Sequence, residues 1–145
     1  RIVAVMAAML EETVSASEAF SKCASLPTFC GPRPLITPAA YVDRIMRYSG
    51  ASPCCLVIGA IYLERLKQRD PQVYLTLDNY QRLFLLAVMT ASKFLDDYYV
   101  SNKRWAAIGG ISLREINQLE LEFLYRLSFT LYVKRSEYDW YAEEL

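Results

Sequence analysis

The sequence predicts an all-α domain, a five-helix bundle around a buried central third helix, with flanking N- and C-terminal helices. Three observations carry that expectation. No stretch alternates apolar and polar residues over the length of a strand. Apolar residues instead recur three and four apart, in segments bounded by Ser, Thr, Pro and Gly where helices start and stop. Finally, Leu83–Ala91 is apolar on every side except at Thr90, so a helix there has no face for water and must be surrounded by other helices.

The elements follow in order. Ile2–Leu10 is an apolar run behind Arg1 that superficially resembles a secretory signal, with Ser15-Ala16-Ser17 posing as a cleavage site. Glu11 and Glu12 follow at once, however, and Val3, Met6, Leu10 and Val14 recur at helical spacing, so an amphipathic flanking helix is expected over residues 1–20. A chain opening on Arg is expected to be part of a longer protein. Residues 21–37 contain Pro27, Gly31, Pro32 and Pro34 without periodicity and read as a Pro-rich linker.

The bundle proper is expected over 38–133. Its first helix runs from Pro38 to about Tyr48, with Thr37 placed to cap it and Ser49-Gly50 to end it. The second starts with Ser52 as cap and Pro53 at the first position. It continues to about Arg69, with Arg65, Lys67 and Arg69 complementing the dipole and Asp70-Pro71 as the stop. The third spans roughly Leu77 to Asp97. The fourth is short, from Asn102 or Lys103 to Ile108, closed by Gly109-Gly110. The fifth begins with a capping-box pattern, Ser112 to Glu115, with Ile111 and Ile116 as its staple. Ile116, Leu119, Phe123 and Leu127 then form its apolar stripe. Residues 134–145 hold a last helix, expected from Glu137 to Leu145.

Composition limits the chemistry. At 145 residues with 54% hydrophobic and 22% charged residues, the chain buries about 70% of its unfolded surface and supports one core. Lys+Arg and Asp+Glu both total 16; this balance disfavours a nucleic-acid surface, so no nucleic acid is expected as a partner. Apolar runs near nine residues fall short of the ~20 needed to span a bilayer, so no membrane partner is expected. With His 0, His-dependent triads and His-ligated metals are excluded. Cys23, Cys30 and the adjacent Cys54 and Cys55 lack zinc spacing and read as buried thiols of a reducing, intracellular compartment, nucleus or cytoplasm. No catalytic residue, metal, cofactor or small-molecule substrate is expected. An enzyme would need a thiolate at Cys54 or Cys55, lowered by the helix start it sits on.

Four segments carry a resemblance. They are Tyr41-Val42-Asp43-Arg44-Ile45; Ser52-Pro53-Cys54-Cys55 with Ile61-Tyr62-Leu63-Glu64-Arg65; Thr90–Asp97 running into Ser101–Ile111; and Asn117–Leu124 with Phe129 and Leu131 beyond. In this order and spacing, over about residues 38–133, the chain resembles the cyclin box, specifically the single-box, phosphate-response (P/U-type) cyclins. The resemblance implies a regulatory subunit, not an enzyme, whose partner is a cyclin-dependent protein kinase. It implies that Lys93 and Glu120 lie together on the kinase-binding surface and that Phe94, Leu124, Phe129 and Leu131 supply its apolar part. A structural ion pair between Arg44 and Glu64 is implied as well. Arg44-Ile45-Met46-Arg47 departs from the Met-Arg-Ala-Ile-Leu patch of cell-cycle cyclins, so docking of substrates through that patch is not expected. A cyclin-fold scaffold of the transcription-factor type, binding DNA or other proteins, is the competing reading; one box and zero net charge speak against it.

Overall fold

An apolar helix with no polar face has to be the middle of something, and α4 (Tyr80–Leu95) is. The computed structural model describes residues 2–17, 27–32, 36–71, 73 and 75–144. Within them every side chain from Leu83 to Ser92 is buried, Leu83, Leu85, Leu86, Ala87, Val88, Met89 and Ala91 completely. Burying such side chains contributes about 1.5–3 kcal/mol for each large one, which is the main stabilisation of the bundle. The described residues form α-helices and one 3-10 turn, with no strand among them.

Around α4 stand α2 (Pro38–Ser49), α3 (Cys54–Arg69), α5 (Asn102–Gly109) and α6 (Leu113–Arg126). The α3–α4 packing is the most extensive in the fold. It works because α3 too is apolar nearly all round: Cys55–Gly59, Ile61 and Tyr62 are buried. The flanking helices α1 (Ile2–Ser17) and α7 (Arg135–Glu144) pack mainly on α2 and on α3. Met6, Leu10 and Val14 of the expected α1 stripe are buried, with Ala7 beside them, and Val3 is half-buried.

Local signals explain most helix ends. Thr37 Oγ1 accepts from Ala40 N–H (3.1 Å) and Ser112 Oγ from Glu115 N–H (3.0 Å). Gly50 (φ 69°) takes the left-handed conformation that ends α2. Gly109 has a different reason to be glycine: a Cβ there would run into the Leu85 side chain, so its absence sets how closely α5 approaches α4.

Four local expectations are corrected. The third helix of the bundle starts at Tyr80, not Leu77, because Thr76 N–H donates to Asn79 Oδ1 (2.8 Å) and the chain turns first. Ser52 does not cap α3: its hydroxyl donates to Asp96 instead. The second half of the capping box is missing, since the Glu115 carboxylate is taken by Arg82 (Nε–Oε2 2.5 Å). The Pro-rich segment is more than a tether. Pro27–Phe29 forms a 3-10 turn that buries Phe29 edge-on to Phe123, ring centroids 6.3 Å apart, and Gly31 N–H donates to Asp78 O (2.9 Å). Cys23, the linker positions 21–26 and 33–35, and Leu145 lie outside the described residues.

Candidate functional site

Two charges at helix edges meet across the bundle. Lys93 lies in the last turn of α4, where a cation complements the helix dipole. Glu120 lies on α6 between the buried Leu119 and the exposed Leu121. Their side chains, 27% and 21% exposed, form an ion pair, Nζ–Oε2 2.6 Å. Asn102, the first residue of α5, closes the group: its Oδ1 accepts from Lys93 Nζ, and its Nδ2 donates to Glu120 Oε1 (3.0 Å) and Asn117 Oδ1 (2.7 Å). Three helices are thereby tied through one polar node.

The node has capacity left over. An ammonium carries three donors and a carboxylate about four acceptor positions, and among the described residues Lys93 uses two and Glu120 two. A partner backbone presenting both carbonyls and amides therefore finds a donor and an acceptor side by side, already held in place.

The helices that carry the node also expose apolar side chains. Phe94, directly after Lys93, is 49% exposed, and Phe129, beyond the end of α6, is 57% exposed. Leu95, Tyr98, Tyr99, Leu121 and Tyr125 add exposed apolar surface on α4, α6 and the α4–α5 loop. Leu124 and Leu131 are half-buried, and Leu131 packs on the core. So Lys93 and Glu120 are brought together and Phe94 and Phe129 are displayed, whereas Leu131 divides its side chain between core and surface.

The expected Arg44–Glu64 ion pair does not form. Arg44 lies over the Tyr48 ring and donates from Nε to Ile108 O (2.7 Å), because the end of α5 leaves carbonyls without helical partners. Glu64 instead lines a cleft under α1 with Met6, Leu63 and Lys67.

Asp96 was not singled out by the sequence, yet it is the most heavily solicited carboxylate of this end of the bundle. It accepts from Ser52 N–H (3.2 Å), the Ser52 hydroxyl, the Ser92 hydroxyl (3.0 Å) and the Cys55 thiol (3.5 Å). Desolvation pulls its pKa up, but the bonds from Ser52, Ser92 and Cys55 outweigh it and hold the carboxyl below its ordinary range. Cys55 shifts the other way: burial first, then the Asp96 charge, pushes its thiol well up. Asn102 and Asn117 were also missed. Asparagine near a helix start reads as capping, and only the crossing of α5 and α6 reveals their use.

Among the described residues no group of His, Cys, Asp and Glu is arranged to hold a metal, and no helix is long and apolar enough to cross a membrane. A protein-family model described as Cyclin matches residues 2–131. Cyclin-U4-1 of Arabidopsis thaliana is 36% identical over 150 residues, covering 100% of this chain and 74% of the relative. Cyclin-P4-1 of Oryza sativa subsp. japonica is 34% identical over 153 residues (100% and 72%), and Cyclin-U1-1 of Arabidopsis thaliana 34% identical over 151 (100% and 72%).

Proposed function

The chain belongs to the cyclin family, and we propose from this premise that it binds a cyclin-dependent protein serine/threonine kinase and activates it. A kinase transfers phosphate only when the Lys of its β3 strand pairs with a Glu on its C helix and its activation loop is ordered. A subunit that packs against the C helix in that arrangement favours the active state by its differential contact energy. In this reading the chain is regulatory and does no chemistry itself.

The observation that carries the reading is the Lys93–Asn102–Glu120 node, a preorganised donor and acceptor pair on helices that also display the aromatic side chains Phe94 and Tyr125. Protein interfaces of this kind combine apolar anchors with charged groups desolvated on association. Phe94, Leu124, Phe129 and Leu131 serve as the apolar anchors.

The test is to mix each purified cyclin-dependent kinase of the source organism with the parent chain and with a Lys93→Ala/Glu120→Ala variant, and to measure affinity and kinase activity. At least one kinase should bind the parent, gain activity with it, and lose both with the variant. No binding by any of them overturns the function; equal binding by both proteins overturns the face.

A further inference from the structure

The chain leaves α6 along an unusual path. Ser128 N–H donates to Tyr125 O and Phe129 N–H to Leu124 O, both at 2.9 Å, the paired bonds of a Schellman ending. That ending calls for a left-handed residue after the cap, where glycine avoids a Cβ clash. Here Ser128 (φ 51°) and Phe129 (φ 56°) both take it, two successive side-chain-bearing residues in a region that disfavours one. Such backbone persists only where its surroundings over-determine it.

The surroundings are three side chains of α3. Tyr62 Oη donates to Leu131 O (2.8 Å). Arg65 reaches Thr130 O (2.9 Å) with Nη1, and both Tyr132 O and Glu137 Oε2 (3.0 Å each) with Nη2, tying in α7. Arg69 Nη1 donates to Ser128 Oγ (2.7 Å). Three successive strap carbonyls, 130 to 132, are thus satisfied by side chains and not by a helical ladder. Core burial gives no reason for this effort at Phe129, whose ring stands exposed and edge-on to Tyr125, centroids 5.5 Å apart. Its result is that an aromatic ring is fixed at the end of the helix that also carries Glu120 and Leu124.

We infer that Tyr62, Arg65 and Arg69 are positioning residues for the partner surface: they hold residues 128–132 so that Phe129 is presented rigidly to the kinase. The inference rests on the kinase-binding reading and explains where that face obtains its order. A ring held before association loses no ordering entropy at association, which is how preorganisation raises affinity.

The experiment is a cycle on the intact chain, using a cyclin-dependent kinase that binds the parent. Affinities are measured for the parent, Phe129→Ala, Arg65→Ala/Arg69→Ala and the triple variant, with hydrogen exchange at the Phe129 and Thr130 amides. The unbraced variant should keep a cooperative melt, exchange those amides at least tenfold faster and bind about tenfold more weakly. Phe129→Ala should then cost little more in the unbraced background than it has already lost. If Phe129→Ala costs the same in both backgrounds, or faster exchange leaves affinity unchanged, the brace is structural only and the inference falls while kinase binding stands. If no kinase binds the parent, both fall. Should Arg65→Ala fail to fold, Arg65→Lys replaces it: an ammonium keeps the charge facing Glu137 but not the planar fork that spans two carbonyls. Full exchange protection and full affinity in Arg65→Lys would likewise overturn the role of the fork.

Discussion

The α3–α4 pair and the strap that follows α6 are held by opposite means. In the pair, backbone groups bond within their own helices and the side chains meet as apolar surfaces, Leu86 and Ile61 fully buried among them. In the strap, backbone carbonyls find guanidinium and hydroxyl partners across the bundle, and two residues that carry a Cβ sit at positive φ. The first arrangement tolerates many sequences of similar volume; the second depends on particular atoms. Where a fold departs from locally favourable choices while exposing the outcome, the departure is where a functional role is to be tested.

The largest expected effect breaks the core side of that contrast. Leu86→Asp places a carboxylate without a partner at the centre of the bundle, which costs more than about 4 kcal/mol, a large part of a domain's stability. Circular dichroism on heating should show no cooperative transition. A cooperatively melting Leu86→Asp protein would mean that α4 is not the buried post of this domain.

The node lies on the other side. Lys93→Ala or Glu120→Ala alone should weaken kinase binding by about 2–5 kcal/mol, because each leaves its partner charge desolvated at the interface. Stability should change by less than about 1 kcal/mol, since both side chains keep contact with water. Titration calorimetry and thermal melts separate the two numbers. Comparable losses in both would assign the node to the fold and erase the contrast.

Ser128→Gly sharpens the comparison at the strap. Glycine takes the left-handed position without the Cβ clash, so the variant should gain up to about 1 kcal/mol, less the exposed contact to Arg69 Nη1. The melting temperature should rise. A fall would show that the serine contact, not the backbone conformation, decides the energy of this turn.

What could be read from the sequence follows the same division. The apolar stripes and the caps at Thr37 and Ser112 are local, so helix existence and most boundaries were legible, and the pairing of Lys93 with Glu120 came through resemblance to a family. Apart from the local turn that delays α4 to Tyr80, the main misreadings are choices among distant partners. Arg44 chooses Ile108 O, Glu115 chooses Arg82 over its own helix start, and Ser52 chooses a carboxylate 44 positions away. Each depends on where another helix ends in space, a fact that no periodicity encodes. Phe29 was hidden for a related reason: a lone aromatic residue in a Pro-rich segment has no period to betray which side is buried.

Asp96 brings polar bonding into the α3–α4 pair itself, since it ends α4 just past Phe94 while gripping the start of α3, and it gives the smallest expected effect. Its pKa in the folded protein lies below the ordinary carboxylate value because Ser52, Ser92 and Cys55 donate to its charged form more than desolvation penalises it. A group whose pKa is lower folded than unfolded stabilises fully above its unfolded value and loses that contribution as pH falls through the folded one. The loss therefore belongs below about pH 4, and it stays under about 1 kcal/mol for a carboxyl in contact with solvent. Asp96→Asn should remove this part of the acid limb, so that melting temperature falls less steeply with pH below 4 than in the parent. Unchanged acid slopes would mean that the joint is held by the packing of α3 on α4 alone, and the polar means of construction would then be confined to the node and the strap.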